Sequence, residues 1–129
     1  MGRTEDLILG HYEAFRRGDT DEIVNGWHSD GRLTPLPGGP SYVGPDEIGR
    51  FLKEGVNDLE QFDFRVYTIL EQNEHALIFG RYSVRENGAV VEKGIFWIGR
   101  RRGPKLSAFE AYENVGEAFA VFRRQLAAA

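Results

Sequence analysis

The feature that most limits what this chain can fold into is a change of period at Gly55. Before it, apolar residues recur at helical spacing; after it, they alternate as in strands. Residues 62–71, 76–85, 90–99 and 106–113 read as four strands rich in Phe, Val, Ile and Tyr. Asn87-Gly88, following Glu86, joins the second and third with the strongest short hairpin signal, because the central residues of such a turn need positive φ. Gly103-Pro104 joins the third and fourth. Connections this short imply an antiparallel meander.

The first half reads as three helices. Ile8, His11, Tyr12 and Phe15 share one face of a helix over residues 4–17, which Gly18 ends. Asp19 and Glu22 have capping-box spacing at the start of a second helix, whose apolar stripe is Ile23, Val24 and Trp27. His28 then sits at its C-terminal end, where it favours the dipole. The segment from Asp30 to Pro40 is loop-like, with a short strand at Arg32-Leu33-Thr34. Gly44-Pro45-Asp46-Glu47 opens a third helix with Ile48, Phe51 and Leu52 on its apolar face, since proline suits the first helical position and acids suit the positive end of the dipole. Residues 115–127 close the chain as a helix carrying Val115, Ala118, Phe119, Phe122 and Leu126. Helices followed by an antiparallel sheet are an α+β pattern, and 129 residues suffice for one domain over residues 1–129 with a single core.

Composition removes several classes of function. A net charge of −4 opposes nucleic-acid binding, which needs a basic surface. The basic run Arg100-Arg101-Arg102 with Lys105 surrounds Gly103-Pro104 and reads as a solvated hairpin tip. With no cysteine, disulfides, thiolate metal sites and a cysteine nucleophile are out. The histidines at 11, 28 and 75 lack ligand spacing, and no Gly-rich phosphate loop follows a strand, so neither a metal nor a nucleotide cofactor is expected. The charged start and the lack of a long apolar run point to a cytoplasmic protein that neither enters nor crosses a membrane.

Three stretches carry a resemblance. They are Phe15-Arg16-Arg17-Gly18-Asp19 with Ile23 and Trp27-His28-Ser29-Asp30; Tyr42-Val43-Gly44-Pro45-Asp46-Glu47-Ile48; and Lys105-Leu106 with Phe109, Tyr112 and the closing helix. Together with the order of elements, they resemble the nuclear transport factor 2-like superfamily over nearly the whole chain. The resemblance implies a cone-shaped, strongly twisted antiparallel sheet wrapped around the N-terminal helices and enclosing one pocket for a small hydrophobic molecule. It also implies a homodimer through the outer face of the sheet.

Three enzyme groups of that superfamily bear on the site. Against the ketosteroid isomerases, the tyrosine position falls on His11, the base position falls at or beside Pro35, and Phe96 or a neighbour takes the place of the second acid. Against the limonene epoxide hydrolases, Leu36-Pro37 and Glu110-Ala111-Tyr112-Glu113-Asn114 are similar and Arg81 matches the arginine, but Ser83 and Ala111 replace the two aspartates. Against the SnoaL-like polyketide cyclases, Glu113 lies at or within a residue of the acid/base carboxylate.

The resemblance thus implies a cofactor-free proton-transfer enzyme of cyclase, isomerase or dehydratase type acting on a carbonyl compound. Glu113 would be the acid/base, and Arg81 and His11 the polarising groups. Phe15, Trp27, Tyr42, Phe51, Phe64, Phe96 and Phe109 would contact the substrate. Other readings stand beside it. Glu113 fits a helix-start glutamate, Arg81 an exposed arginine with Tyr82 inward, and His11 a core-edge histidine. A non-catalytic binding or dimerisation module and a divergent epoxide hydrolase remain the alternatives.

Overall fold

The computed structural model describes residues 3–55 and 63–128. Helix α1 (Arg3–Arg17) ends at Gly18, whose φ of 72° suits a residue without a Cβ. Helix α2 (Thr20–Asn25) follows at once, with the Asp19 side chain accepting from the Glu22 backbone N–H at 3.2 Å. The capping box is half realised, because the Glu22 carboxylate turns instead to Arg17.

Helix α2 is shorter than its apolar stripe suggests. Gly26 caps it, and Trp27 and His28 begin strand β1 (Trp27–Thr34) rather than completing a helix. Trp27 is buried nonetheless, at 4% exposure. The imidazole of His28 bonds to the Arg102 carbonyl, which ties β1 to the basic hairpin tip. Strand β2 (Tyr42–Val43) leads into helix α3 (Gly44–Arg50), with Pro45 in its first turn, and a π-helical turn (Phe51–Gly55) follows.

The alternating half forms β3 (Asp63–Gln72), β4 (His75–Glu86), β5 (Ala89–Arg102) and β6 (Lys105–Tyr112). Residue 62, the expected start of the first of these strands, lies outside the described residues. The turn at Asn87-Gly88 has φ of 51° and 82°, the left-handed pair that its sequence demands. Strands β3 to β6 are the expected antiparallel meander. The complete sheet is mixed, however, in the order β2-β1-β6-β5-β4-β3, because β6 pairs with β1 in parallel. The crossover through β2, α3 and the meander is long enough to return a strand in the parallel sense.

Helices pack on both faces of the sheet. On the inner face, Ile78, Ile95, Trp97 and Leu106 pack with Ile8, Ile23 and Ile48 of the first three helices. On the outer face, helix α4 (Val115–Ala128) sets Ala118 and Phe122 against Leu77 and Ile98, with Phe79, Phe96 and Tyr112 beside them. The outward Leu77, Phe79, Phe96 and Ile98 of β4 and β5 therefore have an occupant within the chain. Phe96, expected in the pocket, instead meets Phe79 edge-on with ring centroids 5.7 Å apart.

At Gly80 the backbone of β3 leaves no room for a side chain. A Cβ there would lie 2.1 Å from the Arg65 carbonyl oxygen and 2.8 Å from the Trp97 ring. The register between β3 and β4 shifts between Val66 and Thr68, beside this approach. Backbone cannot yield as a flexible side chain can, so Gly80→Ala is expected to cost about 1–3 kcal/mol as overpacking. Urea unfolding checks this, and a cost below about 0.5 kcal/mol would mean that the two strands do not approach so closely.

Candidate functional site

A cavity of about 90 Å³ lies between the inner face of the sheet and helices α1 and α2. The face of α1 carrying Ile8, His11, Tyr12 and Phe15 forms one wall, as its 3.6-residue spacing requires. Trp97, Leu106 and Phe109 form the opposite wall, and Phe51 and Leu52 of the π-helical turn add to the lining. The aromatic rings brace one another. Trp97 stacks on Phe109 at 5.7 Å, and Phe64 meets Trp97 at 5.4 Å and Phe15 at 4.6 Å. The Trp97 indole N–H donates to the Pro35 carbonyl at 3.2 Å, so its polar edge is satisfied.

The expected site residues separate into two groups. His11, Phe15, Trp27, Phe51, Phe64 and Phe109 line the cavity. Tyr42 stands behind it, stacked on Phe51 at 4.6 Å. Glu113 and Arg81 do not join them. Glu113 is exposed past the end of β6, so the alternation that points Phe109 and Ala111 inward stops before reaching it. Arg81 lies between the inward-facing Gly80 and Tyr82, and its side chain is exposed. His11, Arg81 and Glu113 therefore do not converge on one cavity.

Trp97 and Tyr12 are the aromatic lining residues absent from the expected site. Tyr12 shares the helix face of Ile8, His11 and Phe15, so its place was in the spacing already. Trp97 and Phe96 occupy opposite faces of β5, and alternation alone does not say which face is inner.

His11 is the titratable group of most consequence in the cavity. Burial pushes its imidazole down to about 4, so it is neutral at pH 7. Its ring meets Trp27 edge-on at 6.4 Å. It also lies over Gly26, where an added Cβ would come within 2.4 Å of Nε2. No hydrogen bond links it to another described residue. Among the described residues, no three His, Asp or Glu side chains gather as metal ligands, and no helix is long and apolar enough to cross a membrane.

The fold and the cavity define a small α+β pocket protein. The chain belongs to the family of SnoaL-like domains, whose model matches residues 8–123. No curated protein matches it by sequence. Solved structures do match it in fold. A nuclear transport factor 2-like protein of unknown function from Burkholderia pseudomallei superposes with a TM-score of 0.76 at 21% identity, covering 95% of this chain and 98% of the other. TerC, co-crystallised with polyporic acid, gives 0.75 at 22% identity, covering 94% and 98%. An LEH-like epoxide hydrolase of M. tuberculosis gives 0.72 at 13% identity, covering 98% and 89%.

The depressed His11 value sets a pH dependence. Between 6.5 and about 4 the unfolded chain takes up a proton that the native state refuses. Stability is therefore full above pH 6.5 and falls as the pH drops toward 4. His75 is shifted the same way, by burial first and the Arg100 charge second, with Glu74 opposing. Comparison with His11→Gln isolates the His11 share, because His75 remains in both proteins. The stability lost between pH 7 and 4.5 should be smaller in the variant by about 2–3 kcal/mol. Equal losses in urea titrations would mean that His11 is solvated.

Proposed function

We propose that this chain binds a small, uncharged, hydrophobic molecule in the cavity between α1, α2 and the sheet. One observation carries the reading. Among the described lining residues the surface is carbon and aromatic ring, interrupted by a neutral imidazole and a tyrosine, with no charged group to hold an ion. TerC, co-crystallised with polyporic acid, supports a small organic guest. The cavity is snug. An apolar cavity of roughly 150 Å³ accepts benzene, and this one measures about 90 Å³. A guest of ring size therefore needs the half-buried Tyr12, Phe15, Leu52 and Phe64 side chains to turn aside. His11 and Tyr12 are the groups placed to meet a hydroxyl or carbonyl on such a guest.

A second reading, a cofactor-free proton-transfer enzyme, rests on His11. A neutral imidazole among carbon walls is in the form that can act as a base at pH 7, and Tyr12 on the same wall can donate to a carbonyl oxygen. In this reading His11 takes the part that sequence alone assigned to Glu113. The spatial separation of Glu113, Arg81 and His11 favours binding without turnover. A homodimer in solution belongs to either reading, with the partner seated outside the area that α4 covers.

A thermal-shift panel of single-ring ketones and phenols, each beside its carboxylate counterpart, tests both readings. Neutral members should raise Tm and carboxylates should not; equal effects would sink the carbon-lined pocket as the site. His11→Gln then decides between binding and catalysis. If the cavity only binds, no member of the panel is consumed by the native protein. If it turns one over, the variant should lose at least about a hundredfold in rate, as removal of a general base implies.

A further inference from the structure

A second cavity is a polar cleft of about 250 Å³, which meets the apolar pocket at Phe64. Its charged side chains come from β3, β4 and β5, on the stretch of sheet where outward-facing residues are exposed rather than covered by α4. The strand registers arrange them in two adjacent rows. Arg65 is opposite Arg81, which is opposite Gly94; Asp63 is opposite Ser83, which is opposite Glu92.

The arginine row calls for an explanation. Residues directly opposite across antiparallel strands have Cβ atoms about 4.5–5.5 Å apart, and like charges there repel. No described carboxylate forms an ion pair with either Arg65 or Arg81. Asp63 pairs with Arg16 at 3.5 Å instead. At Gly94, which completes the row, an added Cβ would meet nothing within 4 Å, so the floor beside Arg81 is open. Two unneutralised guanidinium forks side by side present the donor geometry that an oxyanion takes bidentately. The next row offers Ser83 and the exposed Glu92, with Asp63 at its end held by Arg16. A carboxylate there repels a bare polyanion but accepts hydrogen bonds from hydroxyl groups.

We propose that this cleft binds a phosphorylated polyol, its phosphate on Arg65 and Arg81 and its hydroxyls on Ser83 and Glu92. The polar groups of this site are distinct from those of the apolar pocket, because neither arginine lines that cavity. The polyol separates this chemistry from free phosphate. The phosphate supplies the charge that the arginines need, and the hydroxyls satisfy the acceptor beside them.

Calorimetric titration of the full chain at low salt with ribose 5-phosphate, inorganic phosphate and ribose tests the assignment. Ribose 5-phosphate should saturate a single site at least about tenfold more tightly than inorganic phosphate, and ribose alone should not bind. Arg81→Gln, an exposed substitution, should weaken ribose 5-phosphate at least about tenfold. Glu92→Gln should erase most of its advantage over inorganic phosphate. Binding that never saturates, that survives Arg81→Gln, or that is no tighter for the sugar phosphate than for inorganic phosphate overturns the proposal. So does a change of mass in Arg81→Gln by light scattering without any ribose 5-phosphate binding, which would make this face a contact between copies of the chain.

Discussion

The Trp97 ring binds the parts of the inner face into one wall. It lies against the bare backbone of Gly80, stacks on Phe109 of β6, takes the edge of Phe64 from β3, and hydrogen-bonds to the Pro35 carbonyl after β1. Four segments distant in sequence thus depend on one indole. The missing side chain at residue 80 admits it, and also admits the Arg65 carbonyl from the neighbouring strand. With that wall in place, the α1 face of Ile8, His11, Tyr12 and Phe15 has a surface to close against, and the space left between them is the cavity.

Much of this is legible in the residues. Period and turn chemistry suffice for the meander: Asn87-Gly88 takes the left-handed pair of φ values, and β3 to β6 fall within a few residues of the alternating runs. The Gly18-Asp19 junction and the Pro45 helix start are likewise local features with local causes. Tertiary choice, by contrast, leaves no local trace. Trp27 reads as the last apolar residue of a helix, yet Gly26 ends that helix and hands Trp27 to a strand. Strand alternation sorts Phe96 from Trp97 and Arg81 from Tyr82 without saying which set is inner. That is decided by where α4 packs, since Phe96 and Phe79 go beneath it. Glu113 has the right parity, but its strand stops one residue short.

This sorting of faces has a chemical consequence. Inside, a hydrophobic cavity keeps one imidazole neutral by withholding water. Outside, Arg65, Arg81 and Glu92 keep their hydration in an open cleft. His11 and Arg81, which a sequence reading would gather into one catalytic cluster, face opposite sides of the sheet. A carbon-walled pocket discriminates by shape and by one or two hydrogen bonds, whereas the cleft discriminates by charge.

The inner cavity as the binding site is tested most directly by xenon, a guest without polarity or hydrogen bonds, followed through ¹³C-methyl spectra under pressure. Xenon in this cavity should shift the methyls of Ile8, Ile23, Leu33 and Leu106, which line it, and leave Leu77, Ile98 and Leu126 beneath α4 in place. Unmoved pocket methyls would mean that the cavity is closed in solution, and equal shifts in both sets would place the accessible void elsewhere; either result contradicts the account.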